Sequence, residues 1–136
     1  MSSKYILAIE TSSSICGVAV IHNNEVLSIE EKDVRRKHAE LLPGLTKASL
    51  SNIKITLDDI DAIAISIGPG SFTGLRIGLG FSKGIAYAKN LPIIPVPSML
   101  SLAYSLKEYE PKQGFLHSHA NKVFFQTFRW ENNIPF

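Results

Sequence analysis

With 136 residues, 45% hydrophobic and 19% charged, and a formal net charge of +2, the chain has the composition of a soluble globular protein, one domain or part of one. The small charge and the single basic triplet, Arg35-Arg36-Lys37, exclude an autonomous nucleic-acid-binding surface. Cys16 is the only cysteine, which excludes an intrachain disulfide and fits a reducing, cytoplasmic setting; the apolar run Tyr5–Ile9 is broken by Glu10, too soon for a signal-peptide core or a membrane span.

Tyr5–Glu10 reads as a buried strand, Thr11–Ser14 as a polar turn and Cys16–His22 as a second strand, in which Cys16 is a buried thiol rather than a nucleophile. Asn23-Asn24 is a hairpin signal, and the alternation over Val26–Glu30 predicts a half-exposed third strand. Arg36–Leu50 has helical periodicity, with His38, Leu41, Leu42, Leu45, Ala48 and Ser49 in one stripe; Pro43 inside it demands a late start or a bend. Asp58, Asp59 and Asp61 suit caps and a solvated turn before the strand Ala62–Ile67. Pro92–Val96 is a short buried strand, Ser98–Tyr109 a third helix, and Gly114–His119 and Lys122–Trp130 two further strands. The order βββαβαβ followed by αββ predicts an α/β sheet with an antiparallel hairpin at one side. His117 and His119 share a strand face at chelating spacing, but no Asp, Glu or Cys lies between Gly114 and Arg129, so they read as exposed strand histidines.

Between the strand Ala62–Ile67 and the helix over Phe81–Lys89 runs Gly68-Pro69-Gly70-Ser71-Phe72-Thr73-Gly74-Leu75-Arg76-Ile77-Gly78-Leu79-Gly80. Gly68 and Gly70 permit positive φ and close approach, Pro69 fixes φ, and Ser71 suits an N-cap that accepts from the amide of Thr73 or Gly74. The spacing is not that of a Walker loop. The segment therefore reads either as a turn or as a place where backbone N–H groups converge on a ligand.

Gly74, Gly78, Gly80 and Gly84 each cost the helix roughly 1 kcal/mol against Ala. At 100° per residue, Leu75, Leu79, Ser82 and Ala86 fall on one side and Ile77, Phe81, Ile85 and Ala88 on the other. Two apolar stripes predict burial against the home sheet and against a second body, and the pairs Gly74–Gly78 and Gly80–Gly84 would let another backbone approach. A helix sandwiched inside its own domain is the plainer alternative.

Strand Ile6–Glu10 with Thr11-Ser12, the string His38-Ala39-Glu40-Leu41-Leu42-Pro43, and Gly68–Arg76 together resemble the bacterial TsaB (YeaZ) family over roughly residues 5–100. The resemblance implies an actin/Hsp70-like fold whose βββαβαβ unit is a ribonuclease-H-like lobe with a mixed five-stranded sheet. That lobe would be residues 1–97, and residues 98–136 would supply only the beginning of a second lobe. It implies kinship with TsaD, the transferase that makes threonylcarbamoyladenosine in tRNA. TsaD-type proteins carry a metal-binding His-x3-His where this chain has Ser98 and Leu102, and an Asp where it has Ser14. Read this way the chain is a non-catalytic relative with no metal or cofactor of its own, and an older metalloprotease reading of the wider family loses its histidine pair.

The resemblance also implies partners. A TsaD-type transferase would dock on the two helices through Leu41, Leu45, Gly74, Ile77, Gly78, Phe81 and Ile85, while Leu75 and Leu79 pack on the sheet. A TsaE-type ATPase would join the complex, the activated threonylcarbamoyl group would come from a separate TsaC-type enzyme, a homodimer would form when TsaD is absent, and tRNA would be met only through the complex. Where family members often have Asp-Ala-Arg, this chain has His117-Ser118-His119. A competing reading makes the chain a nucleotide- or phosphate-binding enzyme of the actin-like superfamily. It would use ATP and Mg²⁺, with Glu10, Thr11, Ser12, Gly68, Gly70, Ser71 and Thr73 around the ligand.

Overall fold

The fold is described from a computed structural model covering residues 3–136. Three strands run as an antiparallel meander: β1 (Tyr5–Glu10), β2 (Ile15–His22) and β3 (Glu25–Asp33). Asn23 and Asn24 make the β2–β3 turn at φ 50° and 68°, the doubly positive pair that matches the twist of the flanking strands. The register shifts between Val20 and Ile21, leaving Leu27 of β3 without a partner, and β3 runs past the expected Glu30 to Asp33 opposite Ile15. Helix α1 (His38–Asn52) then crosses over to β4 (Ala62–Ser66), and α2 (Phe72–Lys89) to β5 (Ile93–Val96). Both β4 and β5 join in parallel, giving the order β3-β2-β1-β4-β5.

Alternation decides which face the helices cover. Leu7 and Ile9 of β1, Cys16, Val18 and Val20 of β2, and Ile63 and Ile65 of β4 are all buried beneath them. Leu42, Leu45 and Leu50 of α1 and Ala86 of α2 complete that core. Helix α1 starts at His38 rather than Arg36, because Arg36 sits at φ +59° and turns the chain into the helix. Pro43 remains inside the helix, so one helical N–H is missing there and the helix is held by its buried stripe. On α1, Ser49 Oγ donates to Ser28 Oγ at 3.1 Å and Asn52 Nδ2 to Glu30 Oε1 at 2.7 Å, tying the helix to β3.

The acidic cluster before β4 is structural. Thr56 and Asp59 form a reciprocal capping box on a single 3₁₀ turn, Asp58 pairs with Lys89 Nζ at 2.7 Å, and Asp61 Oδ2 accepts from the Tyr5 amide at 2.8 Å. The other face of the sheet is nearly bare. Ala8, Gly17, Ala19 and Ala64 make its floor, and Val26, Ile29 and Ile94 stand exposed on it.

Residues beyond β5 gather round a second, small core. Helix α3 (Ser98–Ser105) stops short of the expected Tyr109 and is followed by one 3₁₀ turn, Lys107–Tyr109. The hairpin β6 (Gln113–His117) and β7 (Val123–Thr127) comes next, and Met99, Ala103 and Phe128 are buried with Leu116 and Trp130 against them. The expected strand Lys122–Trp130 breaks in two. Phe128 turns inward to the small core, where a Cβ on Gly114 would come within 2.9 Å of its ring. Trp130–Glu131 instead pairs with Ile134–Pro135 as β8 and β9, around Asn132 and Asn133 at φ 51° and 63°. Trp130 Nε1 donates to the Pro111 carbonyl at 2.8 Å. Among the described residues, no helix is long and apolar enough to cross a membrane.

Burial pushes the Cys16 thiol above its ordinary pKa. The protonated form is favoured in the native state, so this contribution to stability is complete below the unfolded thiol's pKa and is lost as pH rises through the folded one. Cys16 should stay unlabelled by iodoacetamide at neutral pH in the native protein and label fully in urea. Mass spectrometry reads both, and rapid native labelling would contradict the buried placement.

Candidate functional site

The glycine loop is built around close contact with the β1–β2 turn. Gly68 has φ +106°, a conformation that favours glycine, and the Gly68–Pro69 peptide is cis. Ser71 N–H donates to the Ser12 carbonyl at 2.7 Å, and Ser71 Oγ caps α2 by accepting from the Gly74 amide at 3.2 Å. Thr11, 0% exposed, donates its hydroxyl to the Gly74 carbonyl at 2.7 Å. A Cβ on Gly70 would strike Ser12, one on Gly74 the Thr11 carbonyl, and one on Gly78 the Thr11 hydroxyl and Ile65.

This corrects several expectations. Gly74 and Gly78 face the home sheet, so they present nothing to a partner. The line of α2 nearest the sheet is Gly74-Gly78-Ser82-Ala86. Because that ridge is small, the helix sits low, and Leu79 on one shoulder and Ile77, Phe81 and Ile85 on the other all reach the core. The two apolar stripes are therefore largely explained within the chain. Leu45 is buried in the core; Leu41, Ile77, Phe81 and Ile85 are half-buried. Thr11 is sealed beneath α2 and cannot meet a ligand.

Glu10 and the glycine loop do not share a cleft. Glu10 lies on the bare face of the sheet, beside Ala8, Ser66 and Val96. Its carboxylate is engaged on both oxygens, accepting from the Ser12 amide at 2.6 Å on Oε1 and from the Ser66 hydroxyl on Oε2. Ser12, Gly70, Ser71 and Thr73 instead line a cleft of about 370 Å³, opposite the β6–β7 hairpin. A phosphate site combining Glu10 with this loop is thus not assembled. Nor do His117 and His119 share a strand face. His117 ends β6 and its Nε2 donates to the Ala120 carbonyl at 3.0 Å, while His119 lies in the turn with Nδ1 at 2.9 Å from Ser118 Oγ. Among the described residues, no three His, Cys, Asp or Glu side chains come together as a metal site.

Sequence reasoning missed what Arg35 and Arg36 do. In sequence they stand only as part of the single basic triplet, yet both line the 370 Å³ cleft together with His38. His38 is buried and donates from Nε2 to the Ser13 carbonyl at 2.9 Å, so the start of α1 is fastened to the β1–β2 turn. The separation in sequence hides this contact; only the Ser-rich turn hinted at it.

A second surface lies on the helices. The groove between α1 and α2 has a volume of about 590 Å³ and is walled by Pro43, Leu50, Ile55, Leu57, Phe81 and Ile85. On the outer side of α2, Gly80 and Gly84 have no described residue within 4 Å of where a Cβ would sit, and Tyr87 is 94% exposed.

A β3-β2-β1-β4-β5 sheet with two crossover helices on one face, facing a second body across a cleft, defines a lobe of the ribonuclease-H-like, actin-like class. The family model described as TsaD, tRNA N6-adenosine threonylcarbamoyltransferase, matches residues 19–118. The chain is 33% identical over 128 residues to the tRNA threonylcarbamoyladenosine biosynthesis protein TsaB of Haemophilus influenzae, covering 92% of this chain and 54% of that protein. It is 36% identical over 107 residues to the tRNA N6-adenosine threonylcarbamoyltransferase of Fusobacterium nucleatum, covering 67% of this chain and 31% of that protein. The solved structure of YeaZ from Pseudomonas aeruginosa superposes with a TM-score of 0.88 at 27% identity, covering 98% of this chain and 63% of that one. The chain belongs to the TsaD family, in its TsaB (YeaZ) branch. It spans about half the length of the curated TsaB relatives it matches.

The two glycine pairs should respond oppositely to alanine. Gly78→Ala should destabilise by about 2 kcal/mol, since its Cβ overpacks Thr11 and Ile65. Gly80→Ala, in open space, should stabilise by roughly 0.5–1 kcal/mol through helix propensity. Urea denaturation of both variants measures this, and equal effects would refute the assignment of faces.

Proposed function

We propose that this chain serves threonylcarbamoyladenosine formation in tRNA as a non-catalytic subunit that docks a TsaD-type transferase through α1 and α2. The observation that carries the reading is the open apolar groove between those helices, together with two glycines of α2 that nothing among the described residues covers. Gly80 and Gly84 give up roughly 2 kcal/mol of helix propensity between them without any home contact that requires glycine. A partner helix lying close to α2 would account for both. The revised contact set is Leu41, Ile77, Phe81 and Ile85 with Gly80, Gly84 and Tyr87.

The non-catalytic part of the reading rests on replaced residues. Ser98 and Leu102 stand where the TsaD-type histidine pair would lie, and a leucine side chain holds no metal. Ser98 is buried and Leu102 exposed, so they do not form a pair facing one site. The remaining roles come from the family: a TsaE-type ATPase in the same assembly, self-association through the same helices when the transferase is absent, tRNA met through the complex, and action in the cytoplasm.

Co-expression with the TsaD-type protein of the same organism tests the docking face. The native chain should co-elute with it on size exclusion. Gly84→Arg should abolish co-elution while leaving the thermal midpoint of the free chain no lower than native, since the position is open and arginine is the better helix former. Phe81→Asp should also abolish it, but with some loss of fold stability because Phe81 touches the core. A complex that survives Gly84→Arg overturns the assigned face.

A further inference from the structure

We propose that the partner helix seated along α2 presents an acidic face, with two carboxylates about two turns apart that meet Arg76 and Lys83. The inference rests on the docking reading above and names the chemistry of the surface that fits it. On α2 both cations are exposed and lie away from the buried ridge Gly74-Gly78-Ser82-Ala86, on the outer stripe that also holds Gly80, Gly84 and Tyr87. Among the described residues neither forms an ion pair. Residues 72–89 contain no Asp or Glu, so nothing on the helix itself answers them. Lys89, the remaining cation of α2, is already paired with Asp58. Across the groove, α1 adds Lys47 to the wall and has Glu40 as its one acid.

Close approach makes these charges decisive. Gly80 is one turn beyond Arg76, and Gly84 follows Lys83 directly. A helix near enough to use both open glycines must also cover the stems of both cations. Stripping water from an unpaired cation opposes binding, so the covering surface has to bring carboxylates. Arg76 is restrained for this contact: its guanidinium lies over the Phe72 ring, 5.4 Å from the centroid, which leaves N–H donors for a carboxylate. Arg76 and Lys83 are seven residues apart, about 10 Å along the axis. Acids at the same two-turn interval on a helix running along α2 reach both. A second copy of this chain fits badly. Pairing through these helices sets Lys47, Arg76 and Lys83 of one copy against the same cations of the other, with Glu40 alone to offset them. Self-association by this face is therefore opposed by charge and needs salt to screen it, whereas docking of an acidic partner is weakened by salt.

Biolayer interferometry of the full chain on the immobilised TsaD-type protein of the same organism tests this at about 50 and about 500 mM NaCl. Native affinity should fall roughly tenfold or more at the higher salt, mostly through the on-rate. The double variant R76Q/K83Q should bind roughly tenfold more weakly than native at low salt, respond little to added salt, and keep the native melting curve, since both side chains are exposed. Lys112→Gln, an exposed cation outside α1 and α2, should behave as native. Carbodiimide coupling of the complex should join Lys83 to an Asp or Glu of the partner, read by mass spectrometry, and Lys83→Arg should keep the complex but lose the link. The free chain should sediment as a monomer at low salt, with any self-association emerging only at high salt. The proposal is overturned if native affinity ignores salt, if R76Q/K83Q binds as native, if Lys83 couples to no partner carboxylate, or if the free chain self-associates at low salt. Any of these results alongside loss of the complex in Gly84→Arg leaves the docking reading standing and removes only its charge. A complex that survives Gly84→Arg, or no complex with the native chain, removes both.

Discussion

Thr11 seated in the glycine notch of α2 is the contact on which the rest of the lobe depends. Its hydroxyl is paired with the Gly74 carbonyl, and Gly74 and Gly78 carry no side chain that would hold the helix away. That lets α2 lie low over β1 and β4, so both its shoulders reach the core. The same contact fixes the β1–β2 turn, because Ser71 N–H grips the Ser12 carbonyl and Glu10 holds the Ser12 amide from the other side of the sheet. With the turn fixed, the cleft lined by Ser12 and Ser71 acquires a defined wall.

Much of this architecture is legible in the residues themselves. Alternating buried positions mark β1, β2 and β4, Asn23-Asn24 marks the hairpin, and Ser71 marks the start of α2. The failures have physical causes. A glycine that accommodates a neighbouring strand and one that faces open space look alike in sequence. Gly74 and Gly78 differ from Gly80 and Gly84 mainly through Thr11, which is distant along the chain, and at Gly78 also through Ile65. The break at Phe128 depends on a small core assembled from α3 and β6, although Asn132-Asn133 repeats the hairpin signal of Asn23-Asn24. The separation of Glu10 from the loop is implicit in period-two alternation: Ile9 lies beneath the helices, so Glu10 belongs to the opposite face.

The lobe offers two surfaces with different physics. The α1–α2 groove is apolar and open glycines lie on the outer side of α2, a geometry suited to a second helix. The cleft is lined by serine and threonine hydroxyls, two arginines and the apolar Ile77, Leu116 and Phe124. They sit on different parts of α2, the cleft at its first turns and the groove along its later ones. Family membership bears on the first surface, through relatives named for threonylcarbamoyladenosine biosynthesis. The residues that line the second come from the β1–β2 turn, the β3–α1 turn, the start of α2 and the β6–β7 hairpin.

The notch also dictates an order of assembly. A helix with four glycines is a poor helix in isolation, since each lowers propensity and short helices are marginal even when built from good formers. Segment 72–89 therefore gains its shape from a surface already in place. That surface is the pair β1 and β4, with β1 anchored in the meander. During synthesis β1 and β4 leave the ribosome before segment 72–89, which condenses on them, so these strands act as a template for the helix laid over them.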